Sequence, residues 1–147
     1  MGASSRLQRT VEGRRQKNLV LILARELASK LATAMFVADA DGGLVFYNEP
    51  AEEILGRTFA EAGELSAETW TSLFHPETLG GQPMALAEIP PGIALLERRP
   101  CHDIFRITSL DGSKRVVSVT SVPLFSQADR LVGMLSVFWE QPEARES

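Results

Sequence analysis

Hydrophobic positions recur every three or four residues near the start of the chain and every two near its end. Between residues 16 and 33 there is no Gly or Pro, and Val20, Leu23, Leu27 and Leu31 fall three or four apart with Arg25, Glu26 and Lys30 between them. That spacing predicts an amphipathic helix over 16–33. Leu19, Leu21, Ile22, Ala24 and Ala28 widen the apolar stripe. One surface does not need so broad a stripe, so the helix is expected to meet both its own domain and a second chain, with Val20, Leu23, Leu27 and Leu31 as dimer-interface candidates. A helix that merely caps its own core is the alternative.

Met35–Ala38 and Leu44–Tyr47 are short strand-like runs separated by Asp39-Ala40-Asp41-Gly42-Gly43, whose aspartates and glycines supply hairpin turn chemistry. Asn48-Glu49-Pro50 then stops the strand and opens a helix, with Asn or Glu near the cap, Pro in the first turn and Gly56 placed to close it. Residues 57–90 are irregular, apart from a helical turn opening at Ser66-Ala67 and running through Trp70 to Phe74 before His75-Pro76. Gly80-Gly81-Gln82-Pro83 reads as a loop, and Pro90-Pro91 opens a helix of two to three turns that Pro100 closes. From Asp103 the period becomes two: Ile104–Ser109, Arg115–Leu124 and Leu131–Trp139 read as strands joined at Asp111-Gly112-Ser113 and around Gln127–Arg130. Strands without βαβ alternation imply an α+β layer, an antiparallel sheet covered by helices on one face.

Composition adds mostly exclusions. A chain of 147 residues, 44% hydrophobic and 23% charged, has room for one ordinary globular core. A single cysteine, Cys101, excludes an internal disulfide and any multi-cysteine metal cluster, leaving a reducing cytoplasm as the default location. The net charge of −4 is uneven: Arg6, Arg9, Arg14, Arg15 and Lys17 oppose only Glu12 at the start, and the remainder is acidic. Residues 1–15 are expected to be a disordered basic arm, and 141–147 a flexible tail. Without a helix-turn-helix pattern beside the arm, direct nucleic-acid binding is not expected. No apolar run approaches the length of a membrane span, and the short run Leu19–Leu23 is followed by charges rather than a cleavage site.

The segment from Phe36 through Asp39, Asp41-Gly42, Leu44-Val-Phe-Tyr-Asn48 to Leu55-Gly56 resembles the opening of PAS domains: strand, Asp-Gly turn, strand ending in Asn, and a short helix closing on Leu-Gly. Glu88-Ile89-Pro90 to Leu96 resembles the family's central helix. Asp111-Gly112, Arg115 to Val119, Pro123-Leu124 and Val132-Gly133 resemble its closing strands. The resemblance covers about residues 33 to 140, giving a domain over 34–140, and implies a five-stranded antiparallel sheet curled around a small cavity. It further implies a sensory module, cytoplasmic, acting on a downstream signalling protein and open to a role in transcriptional regulation. Family members commonly continue through an Asp-Ile-Thr junction into an output domain. Here that point reads Trp139-Glu140-Gln141-Pro142, so the expectation is either a piece of a larger kinase or transcription regulator, or a module that signals by association.

By the register the resemblance sets, Phe36, Ala38, Phe105, Ile107, Val117, Val119, Ser121, Gly133 and Leu135 point inward. They face Trp70, Phe74, Ile93 and Leu96 from the helices. Flavin is disfavoured because no Asn-Cys-Arg motif is present and Ile107, Val117 and Leu135 stand where amide side chains would hold the ring. Haem is disfavoured because the central helix carries no histidine. What remains is either an apolar pocket suited to a fatty acid or another small hydrophobe, or the same side chains filling an ordinary core.

No metal site is expected from His75 and Glu77 alone. Adjacent residues of a strand face opposite ways, so Cys101-His102-Asp103 cannot converge as a catalytic set. The sequence contains no paired carboxylates, Ser-His arrangement or phosphate loop to support an enzyme.

Overall fold

The computed structural model describes residues 19–142. Helix α1 (19–30) precedes β1 (Ala34–Asp39) and β2 (Leu44–Tyr47). Four short helices follow, α2 (Glu49–Leu55), α3 (Phe59–Ala62), α4 (Ala67–Phe74) and α5 (Pro90–Glu97), and then β3 (Cys101–Thr108), β4 (Lys114–Phe125) and β5 (Leu131–Gln141). The strands form one five-stranded antiparallel sheet in the order β2-β1-β5-β4-β3. The expected basic arm, the first residues of the expected helix and the tail from 143 onward lie outside the described residues. Gln141, expected in the tail, ends β5.

The turn between β1 and β2 is built by Asp39, whose Oδ1 accepts from the N–H groups of Asp41 and Gly43 at 3.0 Å each. Gly42 there takes a φ of 85°, a conformation that side chains resist. Asn48 caps α2, and Gly56 ends it in the left-handed region, its N–H donating to the Glu52 carbonyl. Helix α3 was not expected. It is a single turn capped by Thr58 and ended at Gly63, too short to display a period. Strand β3 begins three residues earlier than the alternation suggested, because Cys101, His102 and Asp103 pair with Ser121, Thr120 and Val119 of β4.

Both sheet edges are blunted, which limits pairing with a foreign strand. Beside β3, Glu77 exchanges two backbone hydrogen bonds of 2.9 Å with Arg106, and its carboxylate receives Arg106 and Lys114. Beside β2, Leu44 and Leu65 form an isolated bridge.

The inner face of the sheet packs on α2, α4 and α5. The register aligns Phe36, Ser136, Ser121 and Cys101 in one row across it, and Ala34, Phe138, Val119 and Asp103 in the next. Strand β5 therefore turns Met134, Ser136 and Phe138 inward, and the expected inward placement of Gly133 and Leu135 is off by one residue. A one-residue slip moves every side chain of a strand to the other face. Alternation could not fix the register, because Leu-Val-Gly-Met-Leu-Ser-Val-Phe is apolar at both parities. The outer face of β5 is covered by α1 at its first half, where Leu21 lies over Gly133, and a Cβ at Gly133 would collide with the Ala38 carbonyl oxygen.

Candidate functional site: an apolar cavity

Between the inner face and the helices lies a cavity of about 50 Å³. Its sheet wall is Phe36 on β1, Leu44 on β2, Phe105 and Ile107 on β3, Val117 and Val119 on β4, and Phe138 on β5. Leu55 of α2, Trp70 and Phe74 of α4, Pro76 just after α4, and Ile89 and Pro91 at the start of α5 close the other side. Trp70 and Phe74 stand one helical turn apart, which puts both on the buried face of α4. Phe36 meets Trp70 and Phe138 edge-on, with ring centroids 6.0 and 5.7 Å away. The indole N–H of Trp70 donates to the Gly42 carbonyl at 2.7 Å, so this polar group of the wall is satisfied at the β1–β2 turn.

Seven of the expected inward residues, Phe36, Trp70, Phe74, Phe105, Ile107, Val117 and Val119, line the cavity together. Ala38 and Ser121 share the inner face but sit beyond it. Ala38 packs with Ala94, Leu95 and Met134, while the Ser121 hydroxyl meets that of Ser136 at 2.5 Å. Ile93 is half-buried and outside the lining, and Leu96 is 68% exposed. Helix α5 instead buries Pro90, Pro91, Gly92, Ala94 and Leu95. The run Ile-Ala-Leu-Leu is apolar around the whole helix and offers no phase from which the buried side could be read. Leu44, Leu55, Pro76, Ile89, Pro91 and Phe138 were missed. Leu44 and Leu55 belong to the PAS-like opening segment and could have been taken from it, whereas Phe138 needed the register of β5.

Asn48 does more than cap α2. It is 2% exposed, and its Oδ1 accepts from the N–H groups of Met35 (2.9 Å) and Ala51 (3.2 Å). Its Nδ2 donates to the carbonyls of Ala28 and Thr33 at 2.8 Å each. One amide thus ties α1, the connection to β1, β1 itself and α2. Helix α1 adds the small buried residues Ala24 and Ala28, and Arg25 stacked 4.8 Å over the Phe46 ring. Its other side carries Leu19, Ile22, Leu23 and Leu27 outward, Leu23 at 59% exposure, with exposed Leu31 just beyond; Val20 is half-buried.

The remaining chemistry is dispersed. His102 points away from Cys101 and Asp103, its Nε2 lying 2.7 Å from the Ser118 hydroxyl. Asp103 accepts from the N–H of Ile104. Among the described residues no three His, Cys, Asp or Glu side chains converge as metal ligands, and no helix is long and apolar enough to cross a membrane.

No family model matches the chain, and no curated protein does. Solved structures do share its architecture. The PAS domain of BvgS from Bordetella pertussis aligns at a TM-score of 0.56 and 19% identity, over 84% of this chain and 87% of that one. This chain has the PAS fold. The LOV protein of Rhodobacter sphaeroides aligns at 0.64 and 18%, over 84% of this chain and 68% of its own. The PAS domain of nitrogen regulation protein NR(II) from Vibrio parahaemolyticus aligns at 0.55 and 18%, over 81% and 98%. At such identities the likeness is one of fold. The PAS-like opening segment falls where the resemblance placed it, from β1 through the Asp-Gly turn to Asn48 and Gly56.

Proposed function

We propose that the chain is a sensory signalling module rather than an enzyme, and that it works by admitting a small apolar ligand to the cavity and passing the change to α1. The observation that carries this reading is the placement of the cavity directly behind the sheet strands on which α1 lies. Phe36 forms part of the cavity wall, and its neighbours Met35 and Val37 are buried on the opposite face, the one α1 covers. Leu44 and Leu55 also line the cavity, and Asn48 sits between them in sequence with its amide on the Ala28 carbonyl. A ligand that parts the cavity walls strains the elements that Asn48 joins.

The output surface is the outward stripe of Leu19, Ile22, Leu23 and Leu27. In this reading a second copy packs on it to form a homodimer, and a downstream signalling protein responds to the rearrangement. Flavin does not suit the site, because its polar edge would meet only apolar side chains in a space far below the several hundred Å³ of an ordinary ligand pocket. Haem finds no histidine in the lining.

The small cavity also favours a second reading, a dimerising adaptor whose own side chains fill its core. Native mass spectrometry of the purified protein separates the two. A co-purifying small molecule supports the sensor. A clean apo dimer whose mass no apolar compound changes supports the adaptor.

A further inference from the structure

We infer that the cavity selects a neutral, compact hydrophobe no larger than about a single ring and rejects acids, the fatty acid suggested by the sequence included. The inference rests on the ligand-binding reading above and sharpens it to a chemical class.

Three observations carry it. First, every side chain of the wall is apolar or, in Trp70, has its one N–H already donated to the Gly42 carbonyl. A carboxylate inside would lose its water and find neither a donor nor a cation, and a charge in that position is forced to neutralise or stay out. Second, the two buried serine hydroxyls in the middle of the inner face are not free to help. Ser121 and Ser136 bond each other, Ser136 also reaches the Met134 sulfur at 3.3 Å, and neither serine lines the cavity. Third, the volume of about 50 Å³ is roughly a third of that of an engineered cavity of about 150 Å³ that holds benzene. An atom the size of xenon asks the least displacement of the walls. A ring enters if side chains such as Phe74 and Leu55 give way, and an alkyl acid requires much larger displacement.

The two tryptophans make the test specific. Trp70 lines the cavity, whereas Trp139 lies 45% exposed on β5 and outside it. In the ¹⁵N-labelled full chain at neutral pH, xenon and benzene should shift the Trp70 indole N–H resonance and leave that of Trp139 unmoved. Hexanoate should bind at least about tenfold more weakly than benzene. Val119→Phe, which extends a ring into the space, should abolish the response. If that variant does not fold, Val117→Leu should weaken it.

Hexanoate acting on Trp70 as strongly as benzene would overturn the exclusion of acids while leaving a ligand pocket in place. If folded protein answered to neither xenon nor benzene, both the inference and the ligand-binding reading would fall.

Discussion

Replacing Asn48 by alanine removes four hydrogen bonds from one buried point, and their partners set the cost. The Met35 N–H belongs to a residue 2% exposed, and leaving a buried donor unpaired costs about 1–3 kcal/mol. Loss of the α2 cap at Ala51 adds about 1 kcal/mol. The Ala28 carbonyl keeps a second donor, the Leu31 N–H at 3.3 Å, and so loses less. Together the substitution should cost about 3–5 kcal/mol, a large share of the ~5–15 kcal/mol that holds a domain folded. Urea unfolding followed by far-ultraviolet circular dichroism reads this directly.

Asn48→Asp is the more discriminating variant. It keeps the acceptor that serves Met35 and Ala51 but turns an oxygen toward the carbonyls of Ala28 and Thr33. Amides of residues 19–30 should then exchange with solvent at least about tenfold faster, an opening made easier by about 1.4 kcal/mol, while α2 keeps its protection. A cost below about 1 kcal/mol for Asn48→Ala, or unchanged α1 exchange in Asn48→Asp, would refute the claim that this amide holds α1 to the sheet.

The single tyrosine gives a pH test. Burial, helped by the nearby Glu52 carboxylate, pushes the Tyr47 phenol up to about 12, and its hydroxyl donates to the Arg57 carbonyl at 2.8 Å. Phenolate absorbance should therefore titrate near 12 in the folded protein. The matching stability is present below about pH 10 and lost as pH rises from there through about 12, because the unfolded chain ionises first. A folded-state midpoint near 10 would contradict the burial.

Leu95→Ala should destabilise by about 2–3 kcal/mol. Leu96→Ala, at an exposed site, should change stability by less than about 0.5 kcal/mol, and the reverse order in denaturant titration would mean α5 is rotated. Leu23→Glu with Leu27→Glu should halve the mass seen by light scattering without loss of sheet signal. An unchanged mass would sink the dimer.

What the sequence made legible, and what it hid, follows from where each element is buried. The β1–β2 hairpin and α2 were readable because Asp39, Gly42, Asn48, Pro50 and Gly56 are chemically committed to turns and caps, and each performs that role. The cavity residues of β3 were readable because alternation survives there: Phe105 and Ile107 are buried, and the residues between and beside them are less so. In β4, Val116 to Val119 are buried at both parities, and Val117 and Val119 were placed only by the register of the PAS resemblance. The register of β5 and the phase of α5 were not readable, because a segment apolar at both parities, or around its whole circumference, carries no period. Asn48 was legible as a cap only. Its bonds to Ala28 and Thr33 depend on where α1 docks, which is a tertiary fact.

The central claim, that the occupancy of the cavity is read by α1, is tested most directly by hydrogen exchange of residues 19–30 with and without saturating benzene. Exchange of these amides should change measurably when the Trp70 resonance reports a filled cavity. Identical α1 exchange in the empty and filled states would contradict the account and leave a cavity that binds without signalling.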